Sequence, residues 1–301
     1  MTTLYILGNG FDLHHNINSA YKNFKEYLKK CNITLFNKIE SFNDKNIFSK
    51  NLGENWSDIE NALYLNLNKQ SFLEKINITN DIITAFQQYF NEWIKDLDAK
   101  IKNGYFKKTT NFLNINKKDF FITFNYTNTL NYLYGIDDFN KKDLSIRIMH
   151  IHNKVNASTD IYNKTDQVNY IIFGNKQNAS KLNVIPYDYI DYNYRNRFSK
   201  DTKKCFSKYE TYIKKLANKI KTIKVYGHSL NFEIVNNDIT NDGYYFQKIK
   251  ELIPNAHWIF YYYKKEGIEK INNAIEILNF NKGNYSIFSE KKLYRYYRKV
   301  V

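Results

Sequence analysis

An α/β protein with a mainly parallel sheet covered by helices is what this sequence predicts, and three observations carry the prediction. Short apolar runs rich in β-branched and aromatic residues alternate with stretches of helical periodicity. Those runs stop abruptly at glycine, amide, hydroxyl or imidazole residues. The stretch between the first two runs is long and helical, too large for a simple crossover. It reads as a helical insertion after the first strand and helix. The chain is 301 residues with two prolines, and neither a repeat nor a clear linker interrupts it. It reads as one domain over 1–301, with helical insertions at about 50–110 and 176–220.

The elements follow in order. Residues 2–8 form a buried strand that ends in Gly8-Asn9-Gly10. Ile17, Tyr21, Phe24 and Leu28 recur at helical spacing, which predicts a helix over 19–31 with Asn18 or Ser19 as N-cap. Residues 32–55 are polar and irregular, as in a loop or short pieces. Ser57-Asp58-Ile59-Glu60 has the form of a capping box, so a helix starts near Trp56. A helix is expected from Phe72 to about Lys102, with Phe86, Tyr89, Phe90 and Trp93 on one face. Phe120–Phe124 is the second strand. A short helix over 127–134 and a third strand over 146–151 follow. Ile171–Phe173 is strand-like and ends at Gly174. The tyrosine-rich stretch around Pro186 gives no clear pattern. Further helices are expected at 202–220, 243–252 and 266–279, and strands at 223–226 and 258–263. The tail from Tyr285 adds one or two edge strands.

Composition narrows the function. No apolar run approaches the roughly 20 residues of a membrane helix, and the N-terminus enters a strand without a signal-peptide pattern. Cys31 and Cys205 are too few for a four-cysteine zinc site or a disulfide framework. A cytoplasmic protein that contacts no membrane follows as the expectation. The net charge of +15 suggests nucleic acid or an anionic ligand. The basic residues are scattered, however, and abundant Lys, Asn, Ile and Tyr also suit an AT-rich genome. Nucleic acid is therefore not the favoured partner.

In an open α/β sheet, ligands bind beyond the carboxyl ends of the strands. The five strand ends here are Gly8-Asn9-Gly10-Phe11-Asp12, Thr123-Phe124-Asn125-Tyr126-Thr127, His150-Ile151-His152-Asn153, Phe173-Gly174-Asn175 and Tyr226-Gly227-His228-Ser229-Leu230. Each alone reads as a turn, a cap or a packed side chain. Together they point to one crevice. Gly8 and Gly10 allow close backbone approach, and amides near a helix start attract phosphate. Leu13 stands where the dinucleotide fingerprint wants its third glycine.

These stretches resemble the AbiH family of phage abortive-infection proteins. The resemblance rests on Leu7–Leu13, Trp56 with Glu60, Phe124–Leu130, His152 and Gly227–Leu230, in that order along the chain. The family usually has glycine where this chain has Asn153. The same order is similar to the Rossmann-like sirtuin/DHS fold. That likeness implies an NAD-type ligand and cleavage of the nicotinamide–ribose bond, without the zinc ribbon of protein deacetylases.

The resemblance implies Asn125 and His152 as catalytic residues. Asn125 would orient water or a ribose hydroxyl, and His152 would serve as base or ribose contact. Gly8, Asn9, Gly10, Phe11, Asp12, Thr123, Gly174, Gly227, His228 and Ser229 would bind the dinucleotide. Asp12 would either hold a ribose hydroxyl or pin its loop. Glu60 would either enter the crevice or, as its spacing favours, reach back to the backbone of Ser57. Of His150 and His152, two positions apart along the chain, His152 is the one expected to line the site. No metal-ligand spacing is present. The implied role is phage defence by NAD depletion, with a phage-derived trigger or partner protein and an oligomer left open. The alternatives are a sensor that binds a nucleotide or ADP-ribose without cleaving it, and a nucleic-acid-binding effector.

Overall fold

The computed structural model describes residues 2–41, 52–57, 59–60, 62, 80–107, 111–116, 118–141, 145–154, 175–176, 199–235, 238–240, 242–292 and 294–296. The chain divides into two compact units. Unit 1 comprises Met1–Ile17, Asp98–His152 and Thr202–Val301, and unit 2 comprises Asn18–Leu97 and Asn153–Asp201.

Unit 1 is built on a six-stranded sheet. Its strands are β1 (Thr2–Leu7), β2 (Phe120–Thr123), β3 (Ile148–His150), β4 (Ile220–Tyr226), β5 (His257–Tyr262) and β6 (Tyr285–Ser289). They lie in the order β6-β5-β4-β1-β2-β3, and every pairing is parallel. β1 sits at the centre, and Leu4 to Leu7 are fully buried or nearly so. A strand covered on both faces must be apolar on both, which is why Leu4-Tyr5-Ile6-Leu7 runs without alternation. Tyr5, Leu7, Phe121, Ile148 and Tyr226 share one face with Phe11, Leu113 and Leu130. Leu4 and Ile6 alternate to the other. Each such buried side chain contributes on the order of 2 kcal/mol.

Register makes the strand ends meet. Leu7 pairs with Thr123 and with Tyr226, and Thr123 pairs with His150. Four strands therefore finish in one row, and their following residues emerge at the same edge. The helices of unit 1 are α1 (Gly10–His14), α5 (Thr129–Tyr134), α6 (Thr202–Leu216), α7 (Gly243–Leu252) and α8 (Glu266–Ile277). Gly135 closes α5 in the left-handed conformation at φ +63°, the usual helix stop for a residue without Cβ.

Unit 2 holds α2 (Tyr21–Cys31), α3 (Ile33–Glu40), a 3-10 turn at Glu54–Trp56 and most of α4 (Asn80–Lys102), whose last residues belong to unit 1. Its core is aromatic: the Phe24 ring lies 5.3 Å from Phe86, 5.1 Å from Phe90, 5.3 Å from Trp93 and 5.9 Å from Trp56. The first, second and fourth of these contacts are edge-on and the Trp93 one is tilted, and such ring pairs add to the burial of the rings themselves. Trp56 Nε1 donates to Glu40 Oε1 at 2.5 Å.

Several sequence expectations shift. α2 starts at Tyr21 with Ala20 as N-cap and no capping side chain, so neither Asn18 nor Ser19 holds that end. The stretch read as irregular contains α3, whose N-cap is Asn32 accepting from Leu35 N at 2.9 Å. Its buried apolar positions, Leu35, Phe36 and Ile39, are too few to show a helical period by themselves. β4 begins at Ile220, three residues earlier than the apolar run suggested; Lys221 is exposed and Thr222 only half-buried, so the polar start of the strand carried no apolar signal. The tail gives the sixth parallel strand and a short antiparallel pair, Tyr294–Tyr296 with Asn111–Leu113. Glu60, expected to cap at Ser57, takes the Tyr21 hydroxyl and the Lys200 ammonium, the latter at 2.8 Å. Phe72, Asp58, Pro186 and the strand expected at 171–173 with Gly174 lie outside the described residues. No helix among the described residues is long and apolar enough to cross a membrane.

Candidate functional site

The row of strand ends in unit 1 gathers the loops after β1, β2, β3 and β4. The loops after β1 and β4 are joined backbone to backbone. Gly8 N donates to Tyr226 O at 3.0 Å, and Gly10 N donates to Gly227 O at 2.8 Å. A Cβ on Gly8 would lie 2.5 Å from His228 Cα, and one on Gly10 would lie 2.6 Å from Gly227 Cα. Gly227 has φ +69°, and its Cβ would stand 2.5 Å from Phe11 N. The glycines are thus required for one loop to lie against the other. The amides of Gly8 and Gly10, expected to face a phosphate, are instead donated to these carbonyls. Phe11 is buried in the core under the loop, against His15 and Tyr134.

The loop after β2 is held by side chains. Asp12 is fully buried. Its Oδ1 accepts from Asn125 Nδ2 at 2.9 Å, and its Oδ2 accepts from Thr127 Oγ1 at 2.5 Å. Thr127 Oγ1 is also 3.0 Å from Thr129 Oγ1. Burial pushes the Asp12 carboxyl up to about 6, against the opposing pull of hydrogen bonds from Thr127, Thr129 and Asn125. Thr123 Oγ1 accepts from Asn125 N at 3.1 Å. Asn128 donates its backbone N–H to Asp98 Oδ1 at 2.8 Å and its side-chain amide to Asp98 Oδ2. Of the two roles expected for Asp12, pinning the loop is the one these bonds describe.

A carboxylate only accepts, so the Asn125 amide nitrogen must face Asp12 and its Oδ1 must face away. That Oδ1 is buried and accepts no hydrogen bond from the described residues. A buried carbonyl oxygen left in this state is costly unless a donor arrives, which marks where a ligand hydroxyl or water fits.

The third group is aromatic and imidazole. Phe124 lies 4.6 Å from the His228 ring, 5.4 Å from His152 and 5.6 Å from Tyr245. Asp242, the residue before α7, brings the two histidines together. Its Oδ2 is 3.1 Å from His228 Nε2, and its Oδ1 is 3.5 Å from His152 Nε2. His228 Nδ1 accepts from Leu230 N at 3.0 Å. Its proton therefore sits on Nε2 and points to Asp242. A ring in that tautomer offers no Nε2 lone pair to a metal. Among the described residues, no group of three or more His, Cys, Asp or Glu could hold a metal ion. His150 turns elsewhere: its Nε2 is 3.6 Å from Asp138 Oδ1. Burial raises the Tyr245 phenol well above its ordinary range.

Asn125, His152, Asp12, Thr123, His228, Gly8, Gly10 and Gly227 thus converge in unit 1. Asn9 and Ser229 are exposed beside them. Sequence reasoning missed Asp242, Asp98 and Tyr245. An aspartate directly before a helix reads as an N-cap, yet Asp242 makes no capping bond and serves the histidines instead. Nothing local in the sequence separates those two uses.

Comparison with protein families gives a match to the family model described as "Bacteriophage abortive infection AbiH", over residues 4–79 and 67–262. Comparison with curated proteins gives no match.

Proposed function

The chain belongs to the AbiH family of bacteriophage abortive infection proteins, and from that premise we propose that unit 1 binds NAD or a related nucleotide and hydrolyses its nicotinamide–ribose bond. Family membership points to phage defence; depletion of the nucleotide would be the means. The observation that carries the reading is the buried Asn125 Oδ1, which accepts from no donor among the described residues, beside the imidazole-bearing loops. A ribose hydroxyl or an attacking water supplies the donor it lacks. The strand order also supports it. Counted along the chain, the sheet runs 3-2-1-4-5-6, an order in which dinucleotides bind across the crevice where the connections reverse, here between β1 and β4.

The reaction adds water to the anomeric carbon through an oxocarbenium-like transition state. The carbon–nitrogen bond breaks, its electron pair leaves with nicotinamide, and the water proton passes to a base. Asn125 would hold the water or the ribose hydroxyl, and His152 would take the proton. With the Gly8 and Gly10 amides engaged, the diphosphate would meet the exposed Asn9 and Ser229 rather than a bare loop.

Nicotinamide release from NAD by the pure chain tests this, compared with Asn125→Ala and His152→Ala. The wild type is expected to release nicotinamide at least 100-fold faster than either variant. Equal rates in all three proteins would remove the assigned chemistry. Stabilisation of a silent wild type by ADP-ribose in a thermal-shift assay would favour binding without cleavage. The net charge of +15 favours a second reading, nucleic-acid binding. Filter binding in rising salt tests it, because phosphate-driven affinity must fall steeply.

A further inference from the structure

We infer that Asp242 is the positioning residue of this site: one carboxylate faces both His228 and His152, holding the Nε2 proton that the Leu230 amide imposes on His228 and drawing the proton of His152 to Nε2. The inference rests on the hydrolytic reading above for its consequence, but on geometry for its substance. Asp242 stands before the first turn of α7 and would ordinarily cap that helix. It makes no capping bond. Its two oxygens divide between two rings that come from different loops, one after β3 and one after β4.

The order of bonds fixes the protons. The Leu230 amide can only donate, so His228 Nδ1 must be the bare nitrogen. Nε2–H of His228 then donates to Asp242 Oδ2. The second oxygen, Oδ1, faces His152 Nε2 at 3.5 Å. That separation closes to a hydrogen bond with a small rotation, as catalytic contacts commonly do when substrate arrives. With its proton held toward Asp242, His152 uses Nδ1 as its lone-pair nitrogen. This is the logic of a base oriented by a third group. Leu230 takes a strained φ of +51°, and that conformation brings its amide onto His228. Among the described residues, the titratable neighbours of the His152 ring include Asp242 and Tyr245 of α7 and its lead-in, Tyr126 of the loop after β2, and, across Asp242, His228.

The test uses the full chain with 15N-labelled histidine, assigned through His152→Gln and His228→Gln. In the wild type, above the titration of both rings, long-range 1H–15N spectra are expected to show Nε2 protonated and Nδ1 bare in both. Protonation of Nδ1 in either ring overturns the inference without any variant. Asp242→Asn keeps the shape and removes the anion. It is expected to lower the titration midpoint of His152 by at least half a unit, since a carboxylate at this range favours the charged ring. Asp242→Glu should restore part of that shift. Nicotinamide release by Asp242→Asn should fall at least tenfold in kcat with little change in KM. An unmoved His152 midpoint in folded Asp242→Asn overturns the inference even if NAD is cleaved. A moved midpoint with no cleavage by wild type retires the hydrolytic reading and leaves the positioning role standing.

Discussion

Two loops at the same edge of one sheet are secured in opposite ways. The loop after β1 is held by its backbone: Gly8 and Gly10 donate to carbonyls across the gap, and no side chain takes part in those two bonds. The loop after β2 is held by side chains, with Asn125 and Thr127 both fastened to the buried Asp12. The first arrangement depends on absent atoms, and solution conditions do not touch it. The second depends on one titratable carboxyl and therefore answers to pH. Rigidity in the first loop and adjustability in the second are separable, which four predictions exploit.

The largest effect belongs to the backbone-held loop. Gly227→Ala forces a Cβ to within 2.5 Å of Phe11 N from a positive φ. Strain and overlap together should cost roughly 3 kcal/mol or more, read as a fall in the urea midpoint. Gly10→Ala should follow closely. A variant with an unchanged midpoint would mean the two loops can part cheaply.

Removing the pin should come next. Asp12→Ala leaves the Asn125 amide and the Thr127 hydroxyl without their acceptor, at about 2 to 4 kcal/mol. Asp12→Asn should cost about 1 kcal/mol at most, also by urea denaturation. Its carbonyl still accepts from Asn125, and its amide donates to Thr127, which can then donate to Thr129. If both substitutions cost the same, the bonds to the carboxylate are not what holds the loop.

The third prediction concerns pH. The Asp12 carboxyl titrates at about 6 when folded, above its ordinary value of 3.8. Folding therefore favours the protonated form. The stability this supplies is complete below about pH 4 and is lost as pH rises through 6, a span of roughly 3 kcal/mol. Denaturation midpoints at pH 4.5, 5.5 and 7 should show this component in the wild type, and it should be missing from Asp12→Asn. A wild-type minus variant difference that stays flat across this range would remove the buried carboxylate as the pH-sensitive element.

The smallest effects fall on the exposed residues. Asn9→Ala and Ser229→Ala should change stability by less than about 0.5 kcal/mol. They thus report on nucleotide affinity alone, measured by titration calorimetry with ADP-ribose. A loss of stability above 1 kcal/mol in either would show that these residues brace the loops.

Much of the sheet was legible because its signals are local. Leu4–Leu7, Phe120–Thr123 and Trp258–Tyr262 announce buried strands through their own composition. The polar residues that end them, Asn125, His152 and His228, stood out by contrast with those runs. α3 escaped notice because two turns of helix hold too few apolar residues to show a period. Asp242 escaped because an aspartate before a helix has a sufficient local explanation. The expected use of Gly8 and Gly10 toward phosphate failed to allow for a partner: only the nearness of Gly227 and His228 shows that their missing Cβ atoms admit another loop.

Read alone, the residue order determined that this chain makes a parallel α/β sheet whose strands hand over to chemically able side chains. Those properties follow from burial and periodicity, which neighbours along the chain express. Tertiary structure decided which strands lie side by side, that Asp12 meets Asn125 across 113 residues, and that Asp242 serves two histidines. Such pairings depend on register and packing between distant segments, and no short stretch of sequence encodes the distance between its own side chains and those of another.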